Sequence, residues 1–199
     1  MDDDAATEIL AATYRALCDR GYADVTLGDI AAEAETSKGL IHYYYDDKET
    51  LFAAFLDFLY DRYTEQVGSV AGETPRGRLV ALFETVLADG EGTAGEQLRT
   101  AMLAANAQAP CDDAIRTRLA RFDEYLLDRV ESIVADGVEV GEFDDEVDPA
   151  VAAEFLVTAI YGAHTRRATA DRSSDRLAET MTHFAERHLV ADGPTEVPS

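Results

Sequence analysis

Lys38 and Lys48 are the only lysines among the 199 residues, and both fall in the short segment between Ser37 and Leu51. His42, Tyr43, Tyr44 and Tyr45 lie between them, and no acid occurs from Thr36 to Tyr45. The chain carries a formal charge of −23, so a stretch that keeps its cations and drops its carboxylates is a surface suited to phosphate. Lys38 can donate to guanine O6 or N7, Gly39 admits close approach of the backbone to bases or phosphates, and Tyr43 can donate to a phosphate oxygen. Lys48 and the amino end of the helix it opens add positive potential for a second phosphate.

These side chains need helices to present them. Helical periodicity runs from end to end, with no sustained strand-like alternation, so the spacing predicts an all-α protein of about nine helices. Leu10, Tyr14 and Leu17 recur on one face before Arg20-Gly21, where glycine suits a helix end. Thr26 caps a short second helix from about Leu27 to Ala34, with Asp29 three residues on as its capping partner. A turn through Glu35, Thr36 and Ser37 leads to about two turns of helix from Lys38 to Tyr45. At 100° per residue Lys38, Gly39, His42 and Tyr43 share a free side, opposite Ser37, Ile41 and Tyr44. Two short helices joined in this way form a helix-turn-helix able to lay its second helix in a major groove. The alternative for Tyr44 and Tyr45 is that they are core aromatics with hydroxyls reaching water.

Asp46 and Glu49 read as the capping pair of a fourth helix carrying Phe52, Phe55, Leu56 and Leu59. Pro75 opens a helix with Leu79, Leu82, Phe83 and Val86, ended by the stretch from Asp89 to Gly92. A helix near Glu96 to Ala107 follows, then a long one through Leu119, Phe122, Leu126, Val130 and Ile133 that ends by Gly137. Asp148-Pro149 starts a helix with Val151, Phe155, Ala159 and Gly162. After Ser173-Ser174, Leu177, Met181, Phe184 and His188 make a final seam, either a contact between copies or an internal core stripe.

Other chemistry is poorly supplied. Glu179, His183, Glu186 and His188 crowd one helix without a Glu-x-x-His or His-Glu-x-x-His spacing, which leaves surface pairing and no metal site. The acidic loop from Glu139 to Asp148 lacks the ligand alternation of a calcium loop. Phosphate-binding glycine loops, serine elbows and dinucleotide fingerprints are absent. No catalytic residue and no cofactor is expected. Met102, Asn106, Gln108, Phe122, Tyr125 and Tyr161 could line an effector cavity or simply form core.

The segment from Ile9 to Leu51 resembles the amino-terminal domain of TetR-type transcriptional regulators. The matching residues are Ile9, Ala12, Gly21-Tyr22, Thr26, Ile30-Ala31, Ser37-Lys38-Gly39, the cluster from His42 to Tyr45, and Lys48-Glu49-Thr50-Leu51. The resemblance implies that Lys38, Gly39 and His42 face base edges while Thr26, Ser37, Tyr43 and Lys48 hold phosphates, with Leu40 and Tyr44 carried over beside them. Glu35 stands where the family usually has a turn glycine. Gly28 replaces what is often a longer polar side chain, and His42 replaces the more usual tyrosine. Further on, Gly141-Glu142-Phe143, Asp148-Pro149-Ala150 and Gly162 are similar to the last third of many members. The resemblance implies a homodimer formed through the last two helices, here by Phe155, Gly162, Leu177, Met181, Phe184 and His188. It also implies a palindromic operator in double-stranded DNA, a repressor's action and a small-molecule effector in the body. Residues 1–50 would be the DNA-binding domain, 51–190 the ligand-binding and dimerisation domain, and 191–199 a loose tail.

Composition bounds the partners. Hydrophobic residues make up 47% of the chain, enough for a core despite 40 acids against 17 lysines and arginines. Cys18 and Cys111 stand far apart and outside any metal-binding spacing, which fits a reducing cytoplasm. The start Met-Asp-Asp-Asp opposes a signal peptide, and no apolar run is long enough for a membrane span. The acidity admits two explanations: a solvated surface that avoids nucleic acid, or adaptation to a halophile's interior, where molar salt screens self-repulsion. The first belongs with a rival function, a helical small-molecule carrier or interaction module that does not bind DNA.

Overall fold

A computed structural model describes residues 2–88, 94–170 and 175–191. The described residues form nine helices: α1 (Asp2–Asp24), α2 (Leu27–Glu33), α3 (Lys38–Tyr44), α4 (Lys48–Gly68), α5 (Pro75–Leu87), α6 (Ala94–Gln108), α7 (Asp113–Glu139), α8 (Pro149–Ala170) and α9 (Asp175–His188). The all-α expectation holds; the only extended pairing among these residues is an isolated antiparallel bridge between Phe143 and Val190. The expected stop at 89–92, Ser173-Ser174 and residues 192–199 lie outside the described residues.

The chain divides into two compact units, Met1–Thr64 with Gly92–Phe122, and Glu65–Glu91 with Asp123–Ser199. In the first, Ile9, Ala12 and Ala16 of α1 are buried with Ile30 and Ala31 of α2 and with Leu51, Phe52, Phe55 and Leu56 of α4. Gly21, at φ 73° and ψ 163°, interrupts α1 where the glycine signal placed its end. The capping box forms as expected: the Thr26 amide donates to Asp29 Oδ2 at 2.9 Å, and the Asp29 amide donates to Thr26 Oγ1 at 3.2 Å. The Thr26 hydroxyl, donating to Asp29 Oδ2 at 2.7 Å, then the Thr26 amide, and then Arg20 at 3.2 Å hold the Asp29 carboxyl below the usual carboxylate range. Arg15 donates to the Glu33 carbonyl at 2.7 Å and so satisfies one free acceptor at the end of α2.

The turn into α3 closes on two backbone bonds, Thr36 N to Ala31 O at 2.9 Å and Glu35 N to Ala32 O at 3.2 Å. This is a Schellman arrangement in which Glu35 takes the glycine position at φ 50°. The turn thus keeps its geometry and accepts a side chain in a strained conformation. Glu35→Gly is therefore expected to stabilise the protein by about 1 kcal/mol, because the left-handed cost of a β-carbon disappears. Thermal denaturation at fixed salt checks it; an unchanged or lowered midpoint would show that the turn bears no strain.

Two details of the first unit depart from the expectations. The cap of α4 is Asp47 and not Asp46: its Oδ1 accepts from the Thr50 amide at 2.7 Å, which also draws the Asp47 carboxyl down. Asp46 sits one residue too early to reach the third amide of the helix. Lys48 is half-buried, with Nζ donating to the carbonyls of Tyr22 at 3.0 Å and Ala23 at 3.5 Å and lying 4.7 Å from the centre of the Tyr22 ring. It ties the start of α4 to the end of α1.

In the second unit Pro75 and Pro149 begin their helices as expected, with Thr74 Oγ1 accepting from Gly77 N at 3.1 Å and Asp148 Oδ1 from Ala150 N at 3.0 Å. Helix α7 runs on past Gly137 to Glu139. Ala153, Leu156, Val157 and Ile160 of α8 are buried, as are Met181, Ala185 and Leu189. Asp144 N donates to Leu189 O at 2.8 Å and Ala191 N to Glu142 O at 3.2 Å. The chain end is thus held through Ala191, one residue into the expected tail.

The last seam also needs correction. Met181 is 4% exposed and belongs to the unit's own core, in line with Ala185 and Leu189 at helical spacing. Leu177 and Phe184 are half-buried and His188 is exposed. On α8, Val151 (65% exposed) and Phe155 (54%) turn away from the core, and so does Gly162. Phe155 and Phe184 approach to 4.9 Å between ring centres, and Phe184 and His188 to 4.5 Å, forming an aromatic ladder at the surface.

Candidate nucleic-acid interface

A seven-residue helix cannot sustain itself in water and must be held by its surroundings. For α3 the holding is done by Ile41, fully buried, and by Ser37, whose Oγ accepts from the Leu40 amide at 3.1 Å as the N-cap. Burying one isoleucine contributes about 1.5–3 kcal/mol, enough to dock so short a segment. Tyr44 and Tyr45 pack half-buried against the same core, and burial pushes the Tyr45 hydroxyl up. Tyr44 meets Tyr43 edge-on at 5.1 Å and so braces it from the packed side.

The remaining face is open. Lys38, Gly39 and His42 are exposed, Leu40 is 36% exposed and Tyr43 74%. The expected face therefore assembles on one short helix, with Ser37 as the exception: it is exposed and acts through its cap. A β-carbon added at Gly39 would meet nothing closer than Ser37 Oγ at 3.7 Å. Glycine in a helix costs about 0.5–1 kcal/mol against alanine, and nothing inside the chain requires it here.

Two expected phosphate holders are engaged within the fold. The Thr26 hydroxyl donates its proton to Asp29 Oδ2 at 2.7 Å, so Thr26 acts as the cap of α2 and has no proton left for a phosphate. Two of the three Lys48 protons are directed to α1 carbonyls. The contact of Lys48 with Tyr22 is a tertiary one with no local signal.

Elsewhere, among the described residues, no group of His, Cys, Asp and Glu is placed to hold a metal ion, and no helix is long and apolar enough to cross a membrane. Glu186 pairs with Arg76, while Glu179 and His183 line a groove of about 510 Å³ between α5 and α9. Of the residues expected at an effector cavity, Phe122 is buried in the first unit against Tyr60 and Tyr63, and Asn106 is exposed. Met102, Gln108, Tyr125 and Tyr161 are half-buried, and burial followed by the Asp123 charge pushes the Tyr161 hydroxyl up.

Comparison with known proteins agrees with this geometry. Residues 9–55 match the model of bacterial regulatory proteins of the tetR family, and residues 75–191 match that of the BetI-type transcriptional repressor C-terminal domain. The transcriptional repressor DhaR of Mycobacterium sp. (strain GP1) is 25% identical over 176 residues, covering 86% of this chain and 85% of its own. A TetR transcription regulator from Haloarcula marismortui superposes with a TM-score of 0.85 at 34% identity, over 94% of this chain and 99% of that one. A regulator from Saccharomonospora viridis, solved in complex with choline, shares the fold with a TM-score of 0.82 at 24% identity, over 96% and 100%. Both family models fall in register with the helix-turn-helix and the helical body, and the chain belongs to the tetR family of transcriptional regulators.

Proposed function

We propose that this regulator reads a palindromic operator as a homodimer, one α3 per half-site. The observation that carries it is the open face of Lys38, Gly39, His42 and Tyr43 on a helix anchored by the single buried Ile41. Lys38 and His42 reach base edges, Gly39 lets the backbone approach, and Tyr43 with the Ser37 cap meets the backbone of the duplex. Residues 1–50 do the reading and 51–190 the pairing and effector binding, in the cytoplasm. The two copies meet through Val151, Phe155 and Gly162 of α8 and Phe184 and His188 of α9. A β-carbon at Gly162 would touch nothing within 4 Å, so this helical glycine serves close approach of a partner. The protein acts as a repressor, released when a small molecule prefers a head spacing that fits DNA poorly. Choline is the first effector to try, because a relative of the same fold was solved with it.

Substitutions separate reading from support. Lys38→Ala is expected to relax base preference at one position of each half-site, at about 1–3 kcal/mol per contact. Lys48→Ala is expected to weaken all sequences alike and to lower thermal stability, because it loosens α4 from α1. Binding-site selection with both variants tests this. A shifted base preference for Lys48→Ala with none for Lys38→Ala would overturn the assignment, and a wild-type protein that selects no sequence at all would favour the non-DNA carrier.

A further inference from the structure

We infer that Leu40 reads the 5-methyl group of a thymine in each operator half-site. This rests on the DNA-reading role proposed above and adds a base identity to it. Among the described residues only five large hydrophobic side chains are exposed: Leu40, Tyr43, Val140, Val151 and Phe155. Val151 and Phe155 lie on the face assigned to the second copy, whereas Leu40 and Tyr43 both lie on the seven residues of α3. Tyr43 carries a hydroxyl that can donate to a phosphate. Leu40 carries no polar atom, so it can satisfy neither a phosphate nor a hydrogen-bonding base edge.

The fold itself does not need leucine there. Ile41, the next residue, is the buried anchor of the helix. The Leu40 amide is pinned by the Ser37 side chain at 3.1 Å and the Ser37 carbonyl at 3.0 Å, so the side chain projects from a backbone already fixed in the first turn. In a helix-turn-helix the first turn of the second helix meets the base edges. The apolar feature of the major groove is the thymine methyl; other base-edge groups there are donors or acceptors. Leu40 lies one turn before Tyr43 on the surface of α3, at the Tyr43 edge of the open face, and is the one exposed side chain there complementary to a methyl. Removing one methyl from the contact should weaken binding about four-fold, the equivalent of ~0.8 kcal/mol, and about fifteen-fold when both half-sites are changed.

The test uses the full-length protein and the operator recovered by selection at fixed KCl. Deoxyuridine replaces thymidine one symmetric pair at a time, which deletes the 5-methyl and leaves the pairing edge and O4 intact. One pair should show the fifteen-fold loss with wild-type protein. Leu40→Ala should bind the thymine and uracil operators equally at that pair, while Leu40→Met, an apolar side chain of similar volume, should restore the difference. Uniform indifference to uracil in the wild type would overturn the inference, as would the same uracil penalty in wild type and Leu40→Ala. A wild-type protein that selects no operator would overturn the DNA-reading role itself and this assignment with it. If Leu40→Ala lost its helical circular dichroism, retention of the penalty by Leu40→Asn would overturn the inference and its loss there would support it.

Discussion

Met181→Glu is expected to unfold the protein, and Phe184→Glu to leave a folded monomer that has lost its operator. The two residues are three apart in α9 and look alike in the sequence, yet Met181 is 4% exposed inside its own unit while Phe184 stands half-buried between Phe155 and His188 at the surface. A carboxylate in place of Met181 would be buried with Ala185 and Leu189 on α9, in a unit whose described buried residues are all apolar. Losing a buried methionine costs about 2–5 kcal/mol before the charge is counted. Burying an unpaired carboxylate adds several more, against a total stability of about 5–15 kcal/mol for an ordinary domain. At Phe184 the new carboxylate can reach water, so the fold survives. What fails there is the meeting of two aromatic ladders across a two-fold axis, because each copy would bring its charge to the same patch. A single head, with one seven-residue reading helix, would then bind weakly. Circular dichroism in molar KCl measures the first effect, light scattering and operator titration the second. A folded, dimeric Met181→Glu protein would contradict the packing of α9. A dimeric Phe184→Glu protein with normal affinity would place the partner copy elsewhere.

Operator affinity and folding are both expected to rise from dilute buffer into the molar range of KCl before affinity falls again. Charge −23 per chain is doubled in a dimer that approaches a polyanion. The reading face has Lys38, but around it Glu35, Asp46, Asp47 and Glu49 are all exposed, and Lys48 is partly withdrawn onto α1. At 0.01 M salt the Debye length is about 30 Å, so acids far from the contact oppose binding and repel one another. At 1 M it is about 3 Å, and only direct contacts remain. Ordinary DNA binding weakens with salt because each neutralised phosphate releases a counterion, with a slope near −0.9 per contact in log K against log salt. Few cationic contacts make that loss shallow here, while relief of repulsion is large, so a maximum appears. The ion pairs do not alter this sign. Those of Arg15, Arg20, Arg76 and Arg116 have exposed or partly exposed partners, so each contributes little, and less at high salt. A steep, monotonic fall in affinity from 50 mM upward, with folding complete at the lowest salt, would separate the acidity from any halophilic adaptation.

Much of the head was legible in the residues alone. The Thr26 and Asp29 capping box, the α3 boundaries, the open face of Lys38, Gly39, His42 and Tyr43, and the buried run of α4 all follow from periods of three and four and from caps whose partners are local. Local signals suffice there because the donors and acceptors lie within one helical turn of each other. The same rule explains the error at Asp46: two adjacent aspartates offer the same side chain, and only the register of α4 decides which oxygen meets an amide.

Other assignments depend on neighbours distant in the chain. Lys48 is drawn to carbonyls 25 and 26 residues earlier, where a helix end leaves acceptors unsatisfied. Met181 falls into the core although Phe184 does not, because helical spacing groups residues on a face but carries no information about what covers it. Apolar stripes on α8 and α9 and a cationic reading segment in an acidic chain follow from residue order alone. Which edge of each stripe the chain buries for itself, leaving Phe155, Phe184 and His188 at the surface, is set by packing, since burial is a property of contacts among helices and not of any one of them.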